Sequence, residues 1–222
     1  MRGFVIAVDG PAASGKGTVA SRLAADHKLP FLDTGLLYRA VGLAVIEAGG
    51  DPGDAAVAAE AAGRVDPEGL SPTRLGGRTA GEAASQVAAH PEVRSILLKL
   101  QQDFAAQPGG AVLDGRDICT VIAPWAPAKL YITATPLARA ERRWKQLVLQ
   151  GEDLSLQEML EDIRRRDARD SSRATAPLQK ANDAVLLDTT DLDISTAVEA
   201  ARRIVDTARA RWLESTASSD QG

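Results

Sequence analysis

Near its amino terminus the chain places an apolar run, FVIAVD, directly before a glycine-rich loop and a helix-like pattern. The loop reads GPAASGKGT, and the residues TVASRLAAD that follow carry apolar positions at helical spacing. A strand, a glycine loop and a helix in direct succession form the context that a phosphate-binding loop requires, since its backbone N–H groups converge on phosphate oxygens. The predicted ATP-binding residues are Gly10, Pro11, Ala12, Ala13, Ser14, Gly15, Lys16, Gly17 and Thr18.

The loop departs at one position from the usual pattern G-x-x-x-x-G-K-[ST]. In that pattern a hydroxyl follows the lysine directly and ligates Mg²⁺. Here Gly17 follows Lys16, and the hydroxyl comes one residue later, at Thr18. Either the match is accidental, or the loop marks a particular branch of nucleotide-binding proteins.

Beyond the loop, short apolar runs alternate with helix-like segments. Phe31–Leu32 predicts a second strand, followed by a turn at Asp33–Gly35 and a helix that ends at Gly49–Gly50. The runs GAVLDGRD, KLYITATP and AVLLDTT predict further strands, and helical periodicity separates them. This alternation predicts an α/β fold, a three-layer sandwich in which helices cover both faces of a parallel sheet. Ligands bind beyond the carboxyl ends of such strands.

Three other segments bear on the organisation of the chain. Ser155 and Glu158 stand at capping-box spacing before a helical run. The segment from Asp51 to Gly81 is rich in alanine, glycine and proline, so we expect a peripheral excursion that contributes little core. The tail ESTASSDQG, residues 214–222, is expected to be disordered, which leaves a single domain over residues 1–213.

Composition excludes several classes of function. The 222 residues are 45% hydrophobic with a net charge of −4, which suits one soluble domain and argues against a general nucleic-acid-binding surface. One cysteine and two histidines argue against a disulfide framework and a zinc or iron site. We expect no leader before the first apolar run, and no apolar stretch in the sequence approaches the roughly 20 residues of a membrane span. We therefore expect a cytoplasmic monomer without a membrane or nucleic-acid polymer as partner.

The segment LDGRD places Asp114 at the end of a predicted buried strand. A carboxylate there can orient magnesium-bound water beside a phosphate loop. The alternative is an aspartate that caps a turn, because Asp-Gly is a common turn pair. We expect ATP oxygens and water to hold Mg²⁺, with Asp114 and Thr18 as the protein's contribution.

The segment RRRDARDSSR, residues 164–173, carries five arginines in ten residues. Arg166, Asp170 and Arg173 are spaced i, i+4, i+7, so they share a face if the helix continues. Such a run is often only a solvated surface. Arginines on a mobile segment can also close over phosphates and stabilise the charge of a transferring phosphoryl group.

Five motifs in this order resemble those of the bacterial cytidylate kinases, a branch of the nucleoside monophosphate kinases among phosphate-loop proteins. They are GPAASGKGT, LDTGLLYRA, SQVAAHPEVR, LDGRDICTVI and RRRDARDSSRATAPL. The resemblance covers the chain from Val5 to about Val205, except for residues 51–81. It implies transfer of the γ-phosphate of ATP to CMP, or to dCMP, with Mg²⁺ as cofactor, in pyrimidine nucleotide metabolism.

The resemblance also implies a layout and a set of site residues. The layout is a core with a monophosphate-binding excursion at about 34–100 and a helical lid at about 147–176. The catalytic residues would be Lys16, Arg39, Arg116, Arg166 and Arg173. Carried over position by position, Thr34, Tyr38 and Arg39 hold the monophosphate, Ser85, Arg94 and Asp117 read cytosine, Arg166 and Asp170 lie near the ribose, and Arg116 and Arg173 face the phosphates.

The cytosine assignment is chemically reasonable by itself. Cytosine offers an amino donor at N4 and acceptors at N3 and O2, so a carboxylate or hydroxyl and an arginine can read it together. Uracil reverses the first two groups and would leave buried partners unpaired. Kinases for UMP or AMP, and a nucleotide-dependent switch protein, remain the alternatives, although no N-K-x-D guanine motif is present.

Two departures from the family pattern stand out. The segment 51–81 is shorter than the monophosphate-binding insertion of many relatives, which carries its own small antiparallel sheet. Cys119 replaces a glycine of the family sequence D-I-G-T or D-M-G-T. We expect Cys119 to be a packing residue, because the sequence offers no neighbour that would activate its thiol.

Overall fold

A computed structural model describes residues 3–219 of the chain. Within these residues there are five strands and eight α-helices. The strands are β1 Val5–Asp9, β2 Phe31–Asp33, β3 Ala111–Gly115, β4 Ala128–Thr133 and β5 Val185–Asp188. The helices are α1 Lys16–His27, α2 Thr34–Glu47, α3 Ala55–Ala62, α4 Arg78–Val87, α5 Pro91–Ala105, α6 Pro136–Leu149, α7 Leu156–Ser172 and α8 Ile194–Ser219.

The strands form one five-stranded sheet in the order β2-β3-β1-β4-β5. The pairs β1–β3, β1–β4 and β4–β5 are all parallel, with Ile6 opposite Val112 on one side and Ala128 on the other. The predicted α/β fold with a parallel sheet and flanking helices is confirmed. Because β3 and β4 both border β1, the loop after β1 begins between the carboxyl ends of two neighbouring strands.

A hydrophobic core lies between one face of the sheet and helices α1 and α8. It is built from alternate residues of β1 and β4 and from the apolar faces of the two helices, and Phe4 packs against Trp212 with ring centroids 5.4 Å apart. Burial of such side chains stabilises a fold by roughly 25 cal/mol per Å² of apolar surface. The sheet members of this core include Ile6, Val8, Val112, Leu130 and Ile132, and the helical members include Val19, Leu23, Ala201 and Val205.

The residue contacts divide the chain into two compact units. Unit 1 contains the described parts of Met1–Leu32, Gln102–Thr135 and Gln179–Gly222, and it holds the core just described. Unit 2 contains Asp33–Gln101 and Pro136–Leu178.

Unit 2 is helical and packs through small side chains. Helices α2 and α4 lie so close that a Cβ atom on Gly42 would stand 2.6 Å from the Cβ of Ala83, so a larger residue there would force them apart. Helix α7, which packs on α6, begins with the predicted capping box. The Ser155 side chain accepts a hydrogen bond from the Glu158 N–H, and the Glu158 carboxylate accepts one from the Ser155 N–H.

The structure corrects three predictions. Residues 33–35 are not a turn, because Asp33 ends β2 and its carboxylate caps α2 at the Gly35 N–H. The segment 51–81 contains helix α3, capped by Asp54, and contributes the buried residue Ala58. Alanine spacing alone gives a weak helical signal, because alanine adds little to an amphipathic pattern.

The third correction concerns the tail. Residues 214–219 continue helix α8 instead of being disordered, and residues 220–222 lie outside the described part of the chain. No described helix is both long and apolar enough to cross a membrane.

Candidate active site

The phosphate-binding loop follows β1 and turns sharply into α1. A Cβ atom on Gly10 would lie 1.9 Å from the carbonyl oxygen of Ile132 on β4, so only glycine fits at this position. Ala13 and Gly15 both have positive φ angles, 59° and 86°. Ser14 between them does not have a positive φ, and such alternation of right- and left-handed residues turns neighbouring N–H groups toward a common concave side, the geometry that binds phosphate oxygens.

Lys16 and Asp114 come together at the end of the loop. Helix α1 begins at Lys16 with Gly15 as its N-cap, and the Lys16 Nζ atom lies 3.5 Å from Asp114 Oδ2. Asp114 is the penultimate residue of the buried strand β3, and its side chain is 1% exposed. A buried carboxylate therefore stands directly beside the lysine of the loop.

The same carboxylate explains the unusual glycine of the loop. A Cβ atom built on Gly17 would lie 3.2 Å from Asp114 Oδ2, closer than ordinary van der Waals contact. A serine or threonine at this position would press its side chain on the carboxylate. Asp114 thus crowds the Cβ position from which the hydroxyl side chain of the usual loop pattern would extend.

Two hydroxyl groups belong to the loop's immediate surroundings. Ser14 is buried, and its Oγ atom has no hydrogen-bond partner among residues 3–219. Thr189, just after β5, donates a hydrogen bond from its Oγ1 atom to the carbonyl oxygen of Ser14 at 2.9 Å. Thr189 was not predicted, because its partner lies 175 positions away in the sequence. Burial of an unsatisfied hydroxyl is costly, and a phosphate oxygen could serve as the acceptor for Ser14.

The residues present fit magnesium held largely by nucleotide and water. No cluster of three or more histidine, cysteine, aspartate or glutamate side chains suited to a metal exists in the described part of the chain. Mg²⁺ prefers oxygen ligands and commonly keeps several waters beside one or two carboxylates and substrate phosphates. Asp114 supplies such a carboxylate, and Thr18 is exposed in the first turn of α1.

Two predicted residues follow β3 in the segment LDGRD. The Arg116 guanidinium donates a hydrogen bond from Nη1 to the carbonyl oxygen of Gly115 at 3.2 Å. Asp117 is 4% exposed and precedes a π-helical turn over Ile118–Ile122. Both therefore lie on the connection that leaves the carboxyl end of β3, as the position of the motif predicts.

In unit 2 a cluster of predicted residues surrounds Asp170, which is 3% exposed. Its Oδ1 atom is 3.5 Å from Ser85 Oγ, and its Oδ2 atom is 3.9 Å from Arg166 Nε. The Asp170 carbonyl oxygen accepts hydrogen bonds from Leu178 N–H and Arg173 Nε. The chain thus brings Ser85 beside Asp170 although 85 positions separate them.

The helix that carries most of the arginine run does not continue to Arg173. Helix α7 ends at Ser172, and Arg173 is its C-cap with an extended ψ of 136°. Arg173 therefore does not continue the helical face that Arg166 and Asp170 share. It is 8% exposed, and its Nε hydrogen bond to the Asp170 carbonyl oxygen holds it at the helix end.

The remaining predicted residues lie on α2 and α5. Thr34 and Tyr38 are buried on α2. The guanidinium carbon of Arg94 lies 5.6 Å from the centre of the Tyr38 ring, in a cation–π contact. Arg39 donates from Nη1 to the carbonyl oxygens of Leu75 at 2.8 Å and Gly77 at 3.3 Å. The segment 51–81 therefore contributes backbone acceptors that position Arg39.

Comparison with known proteins identifies the family. A family model described as cytidylate kinase matches residues 6–207. A cytidylate kinase of Caulobacter sp. strain K31 is 61% identical over 209 residues, which are 94% of this chain and 97% of that protein. One of Caulobacter vibrioides strain NA1000 / CB15N is 62% identical over 210 residues, 94% and 98% of the two chains. The chain belongs to the cytidylate kinase family.

Among solved structures, an uncharacterized protein from Eubacterium ventriosum ATCC 27560 has a similar fold. Its TM-score is 0.54 at 15% sequence identity, and the match covers 91% of this chain and 98% of that protein. Identity this low supports the fold alone. As a member of the cytidylate kinase family, the chain is a nucleotide-binding phosphotransferase.

Asp9 is a buried carboxylate beside the phosphate loop that the sequence reasoning missed. Its carboxylate is fully buried and accepts hydrogen bonds from the N–H groups of Ile118 and Cys119, both at 2.8 Å. Burial raises the pKa of Asp9 to about 6, although the two backbone hydrogen bonds counteract the shift. Asp9 is the last residue of β1 before the phosphate loop. Its two hydrogen bonds connect the end of this strand to the turn that follows Arg116 and Asp117.

Cys119 is a packing residue in this structure. Its side chain is 2% exposed, and its sulfur lies 3.6 Å from the carbonyl oxygen of Ala7 and 3.9 Å from that of Leu130. Burial, together with the nearby Asp9 carboxylate, raises the pKa of the Cys119 thiol far above its ordinary value. A thiol in this environment is a poor nucleophile.

Cross-helix ion pairs in unit 2 were also missed. Arg139 on α6 forms two hydrogen bonds with the Asp167 carboxylate on α7, at 3.0 and 2.6 Å. Glu82 on α4 pairs with Arg169 on α7 at 2.7 Å. A linear sequence gives no signal for such pairs, because each charge has several possible partners until the helices are packed.

Proposed function

We propose that this chain transfers the γ-phosphate of ATP to CMP, giving CDP and ADP, and accepts dCMP as a second substrate. Phosphoryl transfer from ATP to CMP is the reaction of its family. The single observation that carries the proposal at the site is the phosphate loop with Lys16 Nζ placed 3.5 Å from the buried Asp114 carboxylate. This arrangement suits a donor triphosphate rather than a monophosphate alone.

The proposed mechanism is an in-line displacement without a protein nucleophile. A phosphate oxygen of CMP is already anionic and attacks the γ-phosphorus, while the bond to the β-phosphate oxygen of ATP breaks and ADP leaves. The loop N–H groups and Lys16 hold the donor phosphates. Arginine side chains stabilise the charge that spreads over the transferring group. When bound, Mg²⁺ neutralises part of the phosphate charge, and Asp114 and Thr18 are the residues proposed to orient it through water.

The acceptor nucleotide is proposed to bind through charged and hydrogen-bonding side chains with distinct roles. Those assigned to cytosine offer a hydroxyl, a carboxylate and a guanidinium, which match the N4 amino group and the N3 and O2 acceptors. The proposed set is Thr34, Tyr38 and Arg39 for the monophosphate, Ser85, Arg94 and Asp117 for cytosine, Arg166 and Asp170 for the ribose, and Arg116 and Arg173 for the phosphates.

The organisation and setting of the enzyme are part of the proposal. Residues 1–213 act as one kinase domain, with the excursion at about 34–100 as the monophosphate-binding region and residues 147–176 as the lid. The chain is proposed to act as a monomer. The proposed location is the cytoplasm, where ATP and CMP are available, and the proposed role is in pyrimidine nucleotide metabolism.

A panel of nucleoside monophosphates tests the function. Purified protein with MgATP should release ADP in the presence of CMP or dCMP, with kcat/KM about a hundredfold or more above the values for UMP and AMP. Equal or better use of UMP would contradict the cytosine assignment. ATP binding without transfer to any monophosphate would favour the nucleotide-dependent switch.

The lid assignment is tested by Arg173→Ala. Loss of this guanidinium should lower kcat about a hundredfold or more, because charge stabilisation of the transferring phosphoryl group is lost. Because Arg173 is buried, its removal can also lower stability. Thermal unfolding of the variant measures this loss separately from the loss of kcat. Arg164→Ala, at an exposed position of the same arginine run, is the matched control and should keep kcat within about threefold. Wild-type turnover in Arg173→Ala would contradict the assignment.

A further inference from the structure

Helices α4 and α7 face each other through a ladder of three polar contacts. The contributing residues of α4 are spaced i, i+4, i+7 and therefore share one helical face. The first two contacts are ion pairs and the third is a hydrogen bond between buried side chains. From the start of α4 they are Arg78 Nε to Asp162 Oδ2 at 2.7 Å, Arg169 Nη2 to Glu82 Oε1 at 2.7 Å, and Ser85 Oγ to Asp170 Oδ1 at 3.5 Å.

The middle contact lies next to the residues assigned to the acceptor nucleoside. Glu82 is three positions before Ser85 on α4, and Arg169 immediately precedes Asp170 on α7. The Ser85–Asp170 hydrogen bond is long at 3.5 Å and is too weak to fix the two helices by itself. The charged contact at 2.7 Å is shorter and stronger, so it sets the separation and the register of the helices at this point.

Stability is a poor explanation for the Glu82–Arg169 pair. The two side chains are 34% and 24% exposed, and an ion pair that is still partly accessible to solvent is screened and contributes only modestly to folding. The Nη1 atom of Arg169 is buried, and no described residue accepts a hydrogen bond from it. An arrangement selected only for stability would pair this donor or leave it in water.

We infer that Glu82 and Arg169 are a positioning pair that holds Ser85 and Asp170 at the spacing required by the acceptor nucleoside. This inference rests on the proposed function, because it takes Ser85 and Asp170 as nucleoside contacts. Glu82 and Arg169 act through their neighbours and not by touching the substrate. Their loss should weaken recognition of CMP while the phosphate loop continues to bind ATP.

Charge reversal and charge exchange test the inference. Glu82→Arg and Arg169→Glu should each raise the KM for CMP about tenfold or more, with the KM for ATP within about threefold of the wild-type value. The double variant E82R/R169E restores the opposite charges in exchanged positions and should recover most of the loss. Recovery of the KM for CMP would show that the two charges act as a pair. A general loss of folding would instead be more severe in the double variant than in the single ones.

Conservative variants keep the inference testable if a reversed charge prevents folding. Arg169→Lys retains the charge and should keep the KM for CMP within about threefold, whereas Glu82→Gln should raise it about fivefold or more. The matched control is Glu199→Arg, which breaks an exposed ion pair with Arg203 on α8 and should leave both KM values unchanged. Thermal unfolding of every variant separates misfolding from mispositioning.

Three results would overturn the inference. They are an unchanged KM for CMP in the single variants, an equal rise in the KM values for CMP and ATP, and a double variant as impaired as the single ones. The wild-type protein is assayed first. If it fails to phosphorylate CMP, the proposed function is wrong; if it is active and the exchange fails to rescue, only the positioning role is wrong.

Discussion

Gly17 and Asp114 depend on each other at the scale of single residues. The glycine leaves space for the Asp114 carboxylate, which stands 3.5 Å from the Lys16 ammonium group. A side chain at position 17 meets this carboxylate at 3.2 Å, and the carboxylate cannot retreat freely because it is buried. The loop thus has a glycine instead of a hydroxyl residue at position 17 because the Asp114 carboxylate of β3 lies beside this position.

Gly17→Ala should therefore impair catalysis. We expect kcat/KM for ATP to fall about tenfold, because the new methyl group displaces the carboxylate from Lys16. Steady-state kinetics at saturating CMP measure the effect. Gly63→Ala is the control, since its Cβ would approach no atom closer than 3.6 Å and its φ is −66°. Full activity of Gly17→Ala would show that the carboxylate can move without cost.

Asp9 predicts a pH dependence of stability with a definite sign. Its folded-state pKa is raised from 3.8 to about 6, so the folded protein holds this proton more tightly than the unfolded chain does. The contribution of Asp9 to the free energy of unfolding is therefore complete below pH 3.8 and is lost as the pH rises to about 6.

Urea unfolding of wild type and Asp9→Asn at several pH values measures this effect. The stability of the wild type relative to the variant should fall by up to about 3 kcal/mol between acid and neutral pH, because asparagine does not titrate. Asp193→Asn is a control for which the pH dependence of stability should have the opposite sign. Hydrogen bonds from Thr196 N–H and Ser195 lower the pKa of Asp193, so its contribution is lost on acidification. A stability difference between wild type and Asp9→Asn that does not change with pH would contradict the raised pKa of Asp9.

At the scale of elements, helix α7 carries both the arginine run and a capping box. The box satisfies N–H groups at the start of the helix, where no backbone partner exists. The helix ends at Ser172, so its last turn presents Arg169 and Asp170 to α4 and leaves Arg173 as the C-cap. The position of this one helix therefore controls several of the proposed contacts.

Ser155→Ala should destabilise α7. Loss of the N-cap hydroxyl should lower the free energy of unfolding by about 1 kcal/mol, because the Glu158 N–H loses its acceptor. Chemical denaturation measures the change. Ser172→Ala, at an exposed position at the other end of the same helix, should change stability by less than about 0.5 kcal/mol. Equal effects of the two substitutions would contradict the capping role.

At the scale of the whole molecule, the only cysteine of the chain reports on opening of unit 1 around β1 and β4. Cys119 is buried beside β1 and β4, and burial raises the pKa of its thiol. A thiol reagent can reach the sulfur only after the surrounding structure opens.

Labelling of Cys119 at neutral pH should be slower in the folded protein than in urea by more than about a thousandfold, given an ordinary stability for a domain. MgATP should slow it further, because a ligand that binds only the folded state reduces the open population. A chromogenic thiol reagent measures the rate. Fast labelling in buffer would show that the turn after β3 opens locally.

Much of the fold could be predicted from local sequence patterns. Apolar runs indicated the positions of all five strands, and the spacing of Ser155 and Glu158 indicated where α7 begins. Helix α3 was missed, since its residues are nearly all alanine and show little amphipathic contrast. The sequence left the end of α7 open, because the helical pattern of charges continues to Arg173 although the helix ends at Ser172.

The sequence by itself determined the phosphate loop, the alternation of strands and helices and the family of this protein, because these depend on residues close together in the chain. The tertiary structure decided why Gly17 is a glycine, since Asp114 comes from another strand. It also decided the partners of Asp9, 109 and 110 positions away, and the pairing of Glu82 with Arg169, 87 positions apart. A charged side chain has many possible partners along a sequence, and only the packing of strands and helices selects one of them.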